Sequence, residues 1–201
     1  MRSTTLFAAL LVVVAVAALL SVRRHGEATQ RPGGTVSLVG DSLNVGVEPY
    51  LAGALPGWQI VANDRVGRRT SEGIGEITAG RARLAPYVVV SLGTNDPPGS
   101  ADTFRDDVAR VERLVGSNRC LVWATIWRDG KPDDAFNDVL RDTAAANRRL
   151  RVVEWAKMVE QHPDWLAPDG LHGSETGYRE RAGAIASAVR GCAPGQTVGE
   201  G

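Results

Sequence analysis

The sequence predicts an α/β domain with a parallel sheet between two layers of helices. Five short apolar runs alternate with segments of helical periodicity between residues 35 and 190, and such alternation is typical of right-handed βαβ crossovers. The third run, residues 87–92, is apolar except for Ser91, which indicates a strand buried on both faces. The expected fold class is therefore a three-layer α/β/α sandwich.

The bounds of the elements follow from apolar periodicity and from glycine and proline breakers. Breakers at residues 56–57, 86 and 116–118 end three of the helical segments. Thr70 and Ser174 are the expected N-caps of the second and the last helix. We predict strands at residues 35–39, 58–62, 87–92, 120–126 and 151–155, and helices at 44–55, 70–84, 101–115, 133–150 and 174–190.

Composition excludes several classes of protein. Basic and acidic residues number 23 each, so no net field is available to recruit nucleic acid or an anionic surface. The histidines and the two cysteines do not cluster with the spacing of metal ligands. We therefore expect no nucleic-acid partner, no metal and no cofactor.

Residues 1–24 have the pattern of a membrane anchor or a signal segment. Residues 6–22 carry no charge, with Arg2 before them and Arg23-Arg24 after them. The only Ala-x-Ala tripeptide of residues 1–24, Ala15-Val16-Ala17, lies inside this apolar run, so we favour an uncleaved anchor over a cleaved signal. We interpret residues 25–34 as a linker, residues 35–192 as the folded domain and residues 193–201 as a disordered tail.

Polar and glycine residues gather in the loops that follow the predicted strands. In chain order they are Ser42, Gly67, Asn95, and Asp169 with His172. All these loops lie at the carboxyl edge of a parallel sheet, where ligand sites form. Taken alone, residues 40–43 are equally well explained as a helix N-cap, and a lone histidine is more often structural. Their placement at one edge favours a site.

In order and spacing, four segments resemble the SGNH hydrolase family, also called GDSL esterases and lipases, over residues 35–190. They are Gly40-Asp41-Ser42-Leu43, Val66-Gly67-Arg68, Gly93-Thr94-Asn95-Asp96 and Asp169-Gly170-Leu171-His172. One such motif is weak support, but four on the expected loops are specific. The resemblance implies a flavodoxin-like five-stranded parallel sheet of order 2-1-3-4-5, with strand one between strands two and three.

The resemblance also implies a role for each site residue. Ser42 is the expected nucleophile, His172 its general base and Asp169 the carboxylate that orients the imidazole. The expected oxyanion hole combines the backbone N–H groups of Ser42 and Gly67 with the Asn95 side-chain amide. Glycine at position 67 allows the backbone to approach a substrate without an intervening Cβ.

The two cysteines bear on the compartment. Cys120 opens strand four and Cys192 follows the last helix, so both are expected at the amino edge of the sheet. We predict a Cys120–Cys192 disulfide, with two unpaired buried cysteines as the alternative. A disulfide indicates an oxidising compartment, and hence a membrane-anchored protein with an extracytoplasmic domain, or one secreted after signal cleavage. The arginine count around residues 6–22 favours the opposite orientation.

The leading functional hypothesis is a serine esterase of the SGNH type that hydrolyses a small, short-chain or O-acetyl ester. The first alternative is an O-acyltransferase or O-acetylesterase acting on an acylated envelope polysaccharide. Residues 64–69 resemble the second block of SGNH domains attached to cell-wall O-acetyltransferases. Such a transferase would need a separate acyl-donor protein, because this chain has one apolar segment. The second alternative is a non-catalytic binding module.

The substrate groove has two further candidates at the end of strand four. Trp127 and Arg128 follow that strand directly, at the same edge as the expected nucleophile. Packing in the core or within the loop is the simpler interpretation of both side chains. The sequence does not identify the acyl chain length or the alcohol.

Overall fold

The computed structural model describes residues 33–192. The predicted anchor or signal segment, most of the predicted linker and the predicted tail lie outside these residues. Within the described part of the chain, no helix is long and apolar enough to cross a membrane.

Five parallel strands form the central sheet of the described region. In chain order they are β1 (Thr35–Gly40), β2 (Gln59–Asp64), β3 (Tyr87–Ser91), β4 (Cys120–Ala124) and, after a separate hairpin that takes the labels β5 and β6, β7 (Leu150–Val153). Their spatial order is β2-β1-β3-β4-β7, and every neighbouring pair is parallel. With the hairpin set aside, this is the predicted order 2-1-3-4-5. It places β1, which ends just before Ser42, between β2 and β3.

Helices cover both faces of this sheet. The described α-helices are α1 (Ser42–Ala54), α2 (Thr70–Gly80), α3 (Ala101–Val115), α4 (Asp134–Ala146), α5 (Trp155–Gln161) and α6 (Glu175–Arg190). Helices α1, α5 and α6 pack on one face, where Leu51 and Ile185 are buried together with Leu38 of β1. Helices α2, α3 and α4 pack on the other, where Phe104 lies with Val39 of β1. The predicted three-layer sandwich is confirmed.

A short hairpin occupies residues 127–132, which we expected to be a loop. Strand β5 (Trp127–Arg128) pairs antiparallel with β6 (Lys131–Pro132). The turn residues Asp129 and Gly130 have positive φ angles of 53° and 74°, a combination that Asp-Gly turns favour in two-residue hairpins. The Asp129-Gly130 dipeptide therefore favours a hairpin over the expected loop.

The chain enters a helix at Trp155, where we expected the end of a strand. The Thr125 hydroxyl accepts a hydrogen bond from the Ala156 N–H at 2.9 Å and donates one to the Val153 carbonyl at 3.3 Å. This side chain thus satisfies a free N–H at the start of α5 and binds the last residue of β7. The helix bounds also differ: Thr70 is the first residue of α2, and its N-cap is Arg69.

Cys120 and Cys192 form a disulfide, as predicted, with their Cα atoms 6.1 Å apart. Both residues are buried. Cys120 begins β4 and Cys192 follows α6, so the bridge lies at the amino edge of the sheet, opposite the edge that carries Ser42. The disulfide therefore joins the last helix to the sheet without entering the candidate site.

Candidate active site

Ser42 lies where β1 passes into α1. Asp41 is the N-cap of that helix, because its Oδ1 accepts a hydrogen bond from the Leu43 N–H at 2.9 Å. The Ser42 N–H has no hydrogen-bond partner among the described residues, as is usual for a first-turn N–H. Asp41 thus caps the helix, while the N–H and hydroxyl of Ser42, the nucleophile candidate, take no part in the cap.

The loop before α6 brings a histidine and a carboxylate to Ser42. His172 Nε2 lies 2.9 Å from Ser42 Oγ, and His172 Nδ1 lies 2.7 Å from Asp169 Oδ2. A proton on Nδ1 directed at the carboxylate leaves Nε2 as the acceptor for the serine hydroxyl. The arrangement matches the geometry of a base-activated nucleophile.

Asp169 organises its own loop as well as the imidazole. Its Oδ1 accepts hydrogen bonds from the N–H groups of Leu171 and His172, each at 3.0 Å. The Leu171 N–H makes the largest contribution, followed by the His172 ring, and together these donors hold the pKa of Asp169 down at about 2. The carboxylate is therefore ionised at neutral pH, and its side chain is half-exposed.

Asn95 links the loops that carry Ser42 and Gly67. Its Nδ2 donates to Asp41 Oδ2 at 3.3 Å and to the Arg68 carbonyl at 3.2 Å. The amide thus contacts the residue before Ser42 and the residue after Gly67. Both bonds are long, so a substrate oxyanion can compete for one of the two amide hydrogens.

Gly67 has φ of +74°, a conformation that strains any residue with a Cβ. A Cβ at this position would face open space, with nothing within 4 Å, so backbone conformation rather than crowding favours glycine here. The Gly67 N–H has no hydrogen-bond partner among the residues that the structure describes. It is available as a donor, as an oxyanion hole requires.

Two neighbours of these residues hold the loops in place. Arg68 is buried and donates to the Gly40 carbonyl at 3.3 Å and to Asn63 Oδ1 at 2.9 Å, which joins the Gly67 loop to the end of β1. Asp96 Oδ1 accepts from the Thr70 N–H at 2.9 Å, which joins the Asn95 loop to the start of α2. No pattern in the sequence pointed to this role of Arg68.

A cleft of about 490 Å³ opens beside Asn95 and Asp169, and neither Ser42 nor His172 lines it. Its lining residues come from three loops and are Thr94, Asn95, Asp96, Pro98, Arg128, Asp129, Gly130, Asp169, Gly170 and Leu171. Arg128 thus borders the cleft, where it donates to the Asp96 carbonyl at 2.6 Å and forms an ion pair with Asp133. Trp127 is buried below and donates from Nε1 to the Gly170 carbonyl at 3.0 Å.

Buried charge beneath Ser42 is a feature that sequence reasoning missed. Asp41 is fully buried and Arg181 is 1% exposed, and burial raises the pKa of Asp41 to about 6. Burial also raises the pKa of Asp64, at the end of β2, to about 6. No local pattern distinguishes these residues from the exposed charges around them, because their burial depends on which helices cover the sheet.

Comparison with known proteins places this geometry in context. No protein-family model matches the chain. The peptidoglycan O-acetyltransferase OatA of Listeria monocytogenes is 27% identical over 153 residues, which are 75% of this chain and 23% of that protein. YrhL of Bacillus subtilis is 23% identical over 159 residues, 77% of this chain and 24% of that protein. The chain thus spans about a quarter of the length of these curated relatives.

Solved structures share the fold at low sequence identity. The C-terminal catalytic domain of peptidoglycan O-acetyltransferase A from Streptococcus pneumoniae has a TM-score of 0.62 at 22% identity, covering 80% of this chain and 92% of that one. A lipolytic G-D-S-L family protein from Veillonella parvula has a TM-score of 0.63 at 14% identity, covering 76% and 95%. A Clostridium thermocellum family 3 carbohydrate esterase has a TM-score of 0.61 at 17% identity, covering 77% and 94%.

The fold is the three-layer α/β/α fold of these solved proteins. More particularly, the fold is that of the SGNH, or GDSL, hydrolases, which confirms the resemblance predicted from the four motifs. The solved proteins with this fold include an esterase and an acetyltransferase domain.

Proposed function

We propose that the protein is a serine esterase of the SGNH type that cleaves a carboxylic ester through an acyl-Ser42 intermediate. The observation that carries the proposal is the continuous set of contacts from Ser42 Oγ through His172 to Asp169, at 2.9 and 2.7 Å. A serine hydroxyl becomes an effective nucleophile when a base within hydrogen-bond reach removes its proton. His172 supplies that base, and Asp169 fixes its tautomer.

The proposed reaction has two halves. Ser42 Oγ attacks the ester carbonyl while its proton moves to His172 Nε2, and the resulting oxyanion is held by donors on Ser42, Gly67 and Asn95. The bond to the alcohol then breaks, and the alcohol leaves with the proton from His172. In the second half, His172 removes a proton from water and the hydroxide attacks the acyl group. The bond to Ser42 Oγ then breaks, His172 returns the proton to Oγ, and the carboxylic acid is released.

The lining of the cleft supports a small, polar substrate. The cleft is open, and its side chains include the carboxylates of Asp96, Asp129 and Asp169. The single guanidinium there, that of Arg128, is already paired with Asp133. An anionic substrate would therefore meet net negative charge. We propose an acetyl or other short acyl ester of an uncharged alcohol, such as a sugar hydroxyl.

The test compares Ser42→Ala with Ser117→Ala in the full chain. Ser117 is an exposed serine before β4, at the edge of the sheet opposite the site. We expect Ser42→Ala to abolish hydrolysis of 4-nitrophenyl acetate and labelling by a fluorophosphonate probe, while Ser117→Ala retains both. Wild-type protein that neither turns over ester nor labels would instead support the binding-module alternative.

Acyl transfer or deacylation on an envelope polysaccharide is the second candidate function. The specific observation in its favour is the alignment of three quarters of this chain with a peptidoglycan O-acetyltransferase. In acyl transfer, the second half-reaction uses a glycan hydroxyl in place of water, and a separate protein would bring the acyl donor; in deacylation, the acylated glycan is the ester and water is the acceptor. Incubation with 4-nitrophenyl acetate and a glycan acceptor separates the two: a transferase yields acetylated glycan, and a hydrolase yields only acetate.

We further propose that the domain acts outside the cytoplasmic membrane, attached through residues 1–24. The Cys120–Cys192 disulfide supports an oxidising compartment. Removal of residues 1–24 after secretion is the alternative. Protease treatment of intact cells tests the location, since a cytoplasmic domain would be protected, and N-terminal sequencing of the isolated protein distinguishes an anchor from a cleaved signal.

A further inference from the structure

Arg181 is a buried cation that the proposed chemistry does not use. It lies on α6 and is 1% exposed. One of its nitrogens, Nη2, donates to Ser91 Oγ at 2.6 Å, and the guanidinium lies over the Trp155 ring, 4.9 Å from the centroid. Its Nε and Nη1 have no hydrogen-bond partner among the described residues. A buried charge with so few hydrogen bonds is costly unless an opposite charge offsets it.

The opposite charge is Asp41, on the other side of Ser91. The Ser91 carbonyl accepts a hydrogen bond from the Asp41 N–H at 3.0 Å, while the Ser91 hydroxyl accepts the one from Arg181. Asp41 in turn holds two parts of the site: its Oδ1 accepts from the Leu43 N–H, and its Oδ2 accepts from Asn95 Nδ2. A carboxylate accepts at both oxygens without competition, whereas a carboxylic acid carries a proton on one of them.

We propose that Arg181 is a positioning residue: its buried positive charge keeps Asp41 ionised, and ionised Asp41 holds the Asn95 amide and the first turn of α1 in place for the oxyanion. This inference rests on the proposed function. Arg181 itself touches neither Ser42 nor a residue of the oxyanion hole, and it acts through Asp41.

The groups around Asp41 make Arg181 its main source of positive charge. Burial raises the pKa of Asp41 to about 6, while the Leu43 N–H, then Arg181, and more weakly His172 pull that pKa down. Asp64 at the end of β2 and Tyr178 on α6 also interact with the Asp41 charge, and as acids neither offsets it. Without Arg181, Asp41 would bind its proton more tightly and lose its role as a double acceptor near neutral pH.

The experiment measures kcat/KM against pH with 4-nitrophenyl acetate for wild type, Arg181→Met and Arg181→Lys. Opposite charge nearby typically shifts a carboxyl pKa by about 1–3 units, so the acidic limb of Arg181→Met should move to higher pH by about that amount. At pH values well above the shifted limb, where Asp41 is ionised in every variant, activity should return to within about threefold of wild type. Arg181→Lys keeps the charge and should keep the acidic limb.

Arg179→Met is the matched control, because Arg179 is an exposed arginine on the same helix and should leave the profile unchanged. Methionine fills the space of the buried arginine stem, and such replacements of buried ions are often tolerated; thermal unfolding checks this. An equal loss of kcat/KM at all pH values, or an unshifted acidic limb in Arg181→Met, would overturn the positioning role and leave Arg181 purely structural.

A readout without turnover separates this inference from the proposed function. The carboxyl ¹³C resonance of Asp41 can be titrated in wild type and in Arg181→Met. A higher Asp41 midpoint in Arg181→Met is expected, and an unchanged midpoint would refute the inference even in an active enzyme. If the Asp41 midpoint rises in Arg181→Met but the wild-type protein has no esterase activity, the proposed function is refuted and the inference about Arg181 is not.

Discussion

Replacing Asp64 by asparagine should stabilise the protein at neutral pH and change little at pH 4. Asp64 ends β2, and its Oδ1 accepts a hydrogen bond from Asn44 Nδ2 at 3.1 Å. Its Oδ2 and the Asn44 Oδ1 are both buried acceptors without a donor among the described residues. An asparagine at position 64 keeps the accepting oxygen and adds an NH₂ group, which can donate to Asn44 Oδ1.

The magnitude follows from the pKa of Asp64, which burial raises from 3.8 to about 6. The folded protein binds this proton more tightly than the unfolded chain does. The contribution of Asp64 to the free energy of unfolding is therefore present below pH 3.8 and is lost as the pH rises through about 6. At 1.36 kcal/mol per pKa unit, the loss is about 3 kcal/mol at neutral pH. Asparagine has no such loss, and the corresponding rise in melting temperature is about 6–12 °C.

The assay is urea unfolding of wild type and Asp64→Asn at pH 4 and at pH 8, with the disulfide intact. Asp142→Asn is the control, because Asp142 is an exposed carboxylate on α4. We expect the Asp64→Asn gain to appear only at pH 8 and the Asp142→Asn curves to follow wild type at both values. A gain of the same size at pH 4 would show that the amide hydrogen bonds, rather than the buried charge, decide the stability of this pair.

Three further outcomes are expected. Asn95→Ala should lower kcat for ester hydrolysis by about 10²–10³-fold, and a loss below about threefold would exclude the amide from the oxyanion hole. Replacing Cys120 and Cys192 together by serine opens a bridge of sequence separation 72 and should lower the free energy of unfolding by about 4 kcal/mol in urea titrations; a loss under about 1 kcal/mol would contradict the chain-entropy reasoning. Gly177→Ala should destabilise α6 by about 1–3 kcal/mol, because the new Cβ overlaps a backbone carbonyl. At Gly183 on the same helix a new Cβ meets nothing within 4 Å, so Gly183→Ala should stabilise the helix by up to about 1 kcal/mol. Equal melting temperatures for the two alanine variants would refute the close contact at Gly177.

Hydrogen bonds between the loops of the candidate site predict that distant substitutions affect it. The nucleophile candidate and the oxyanion donors come from the loops after β1, β2 and β3, and the base comes from the loop before α6. Asp41, Arg68 and Asp96 join three of those loops through hydrogen bonds from one to the next. A substitution that breaks one of these bonds is expected to move a reacting group without touching it, and small misplacements of reacting groups are costly.

Sequence patterns determined the fold class and the positions of the site candidates, and the resemblance to the SGNH family implied the sheet order. Strand and helix periods are local properties, and the polar residues that matter stand at fixed places beside strand ends, so one pass along the chain finds Ser42, Asn95 and His172. The Asp129-Gly130 turn was equally local, and its hairpin was predictable. The disulfide followed from topology, because the amino edge of the sheet brings Cys120 and Cys192 together.

Tertiary structure decided which polar groups are buried and what they contact. The hydrogen bond from Asn95 to Asp41 joins residues 54 positions apart, and the one from Arg181 to Ser91 joins residues 90 positions apart. Sequence periodicity does not predict contacts between such distant positions. The same holds for the start of α5, which depends on Thr125 from a neighbouring strand. Burial sets the cost of a charge and hence its pKa, so the electrostatics of this site became readable only once the helices were packed on the sheet.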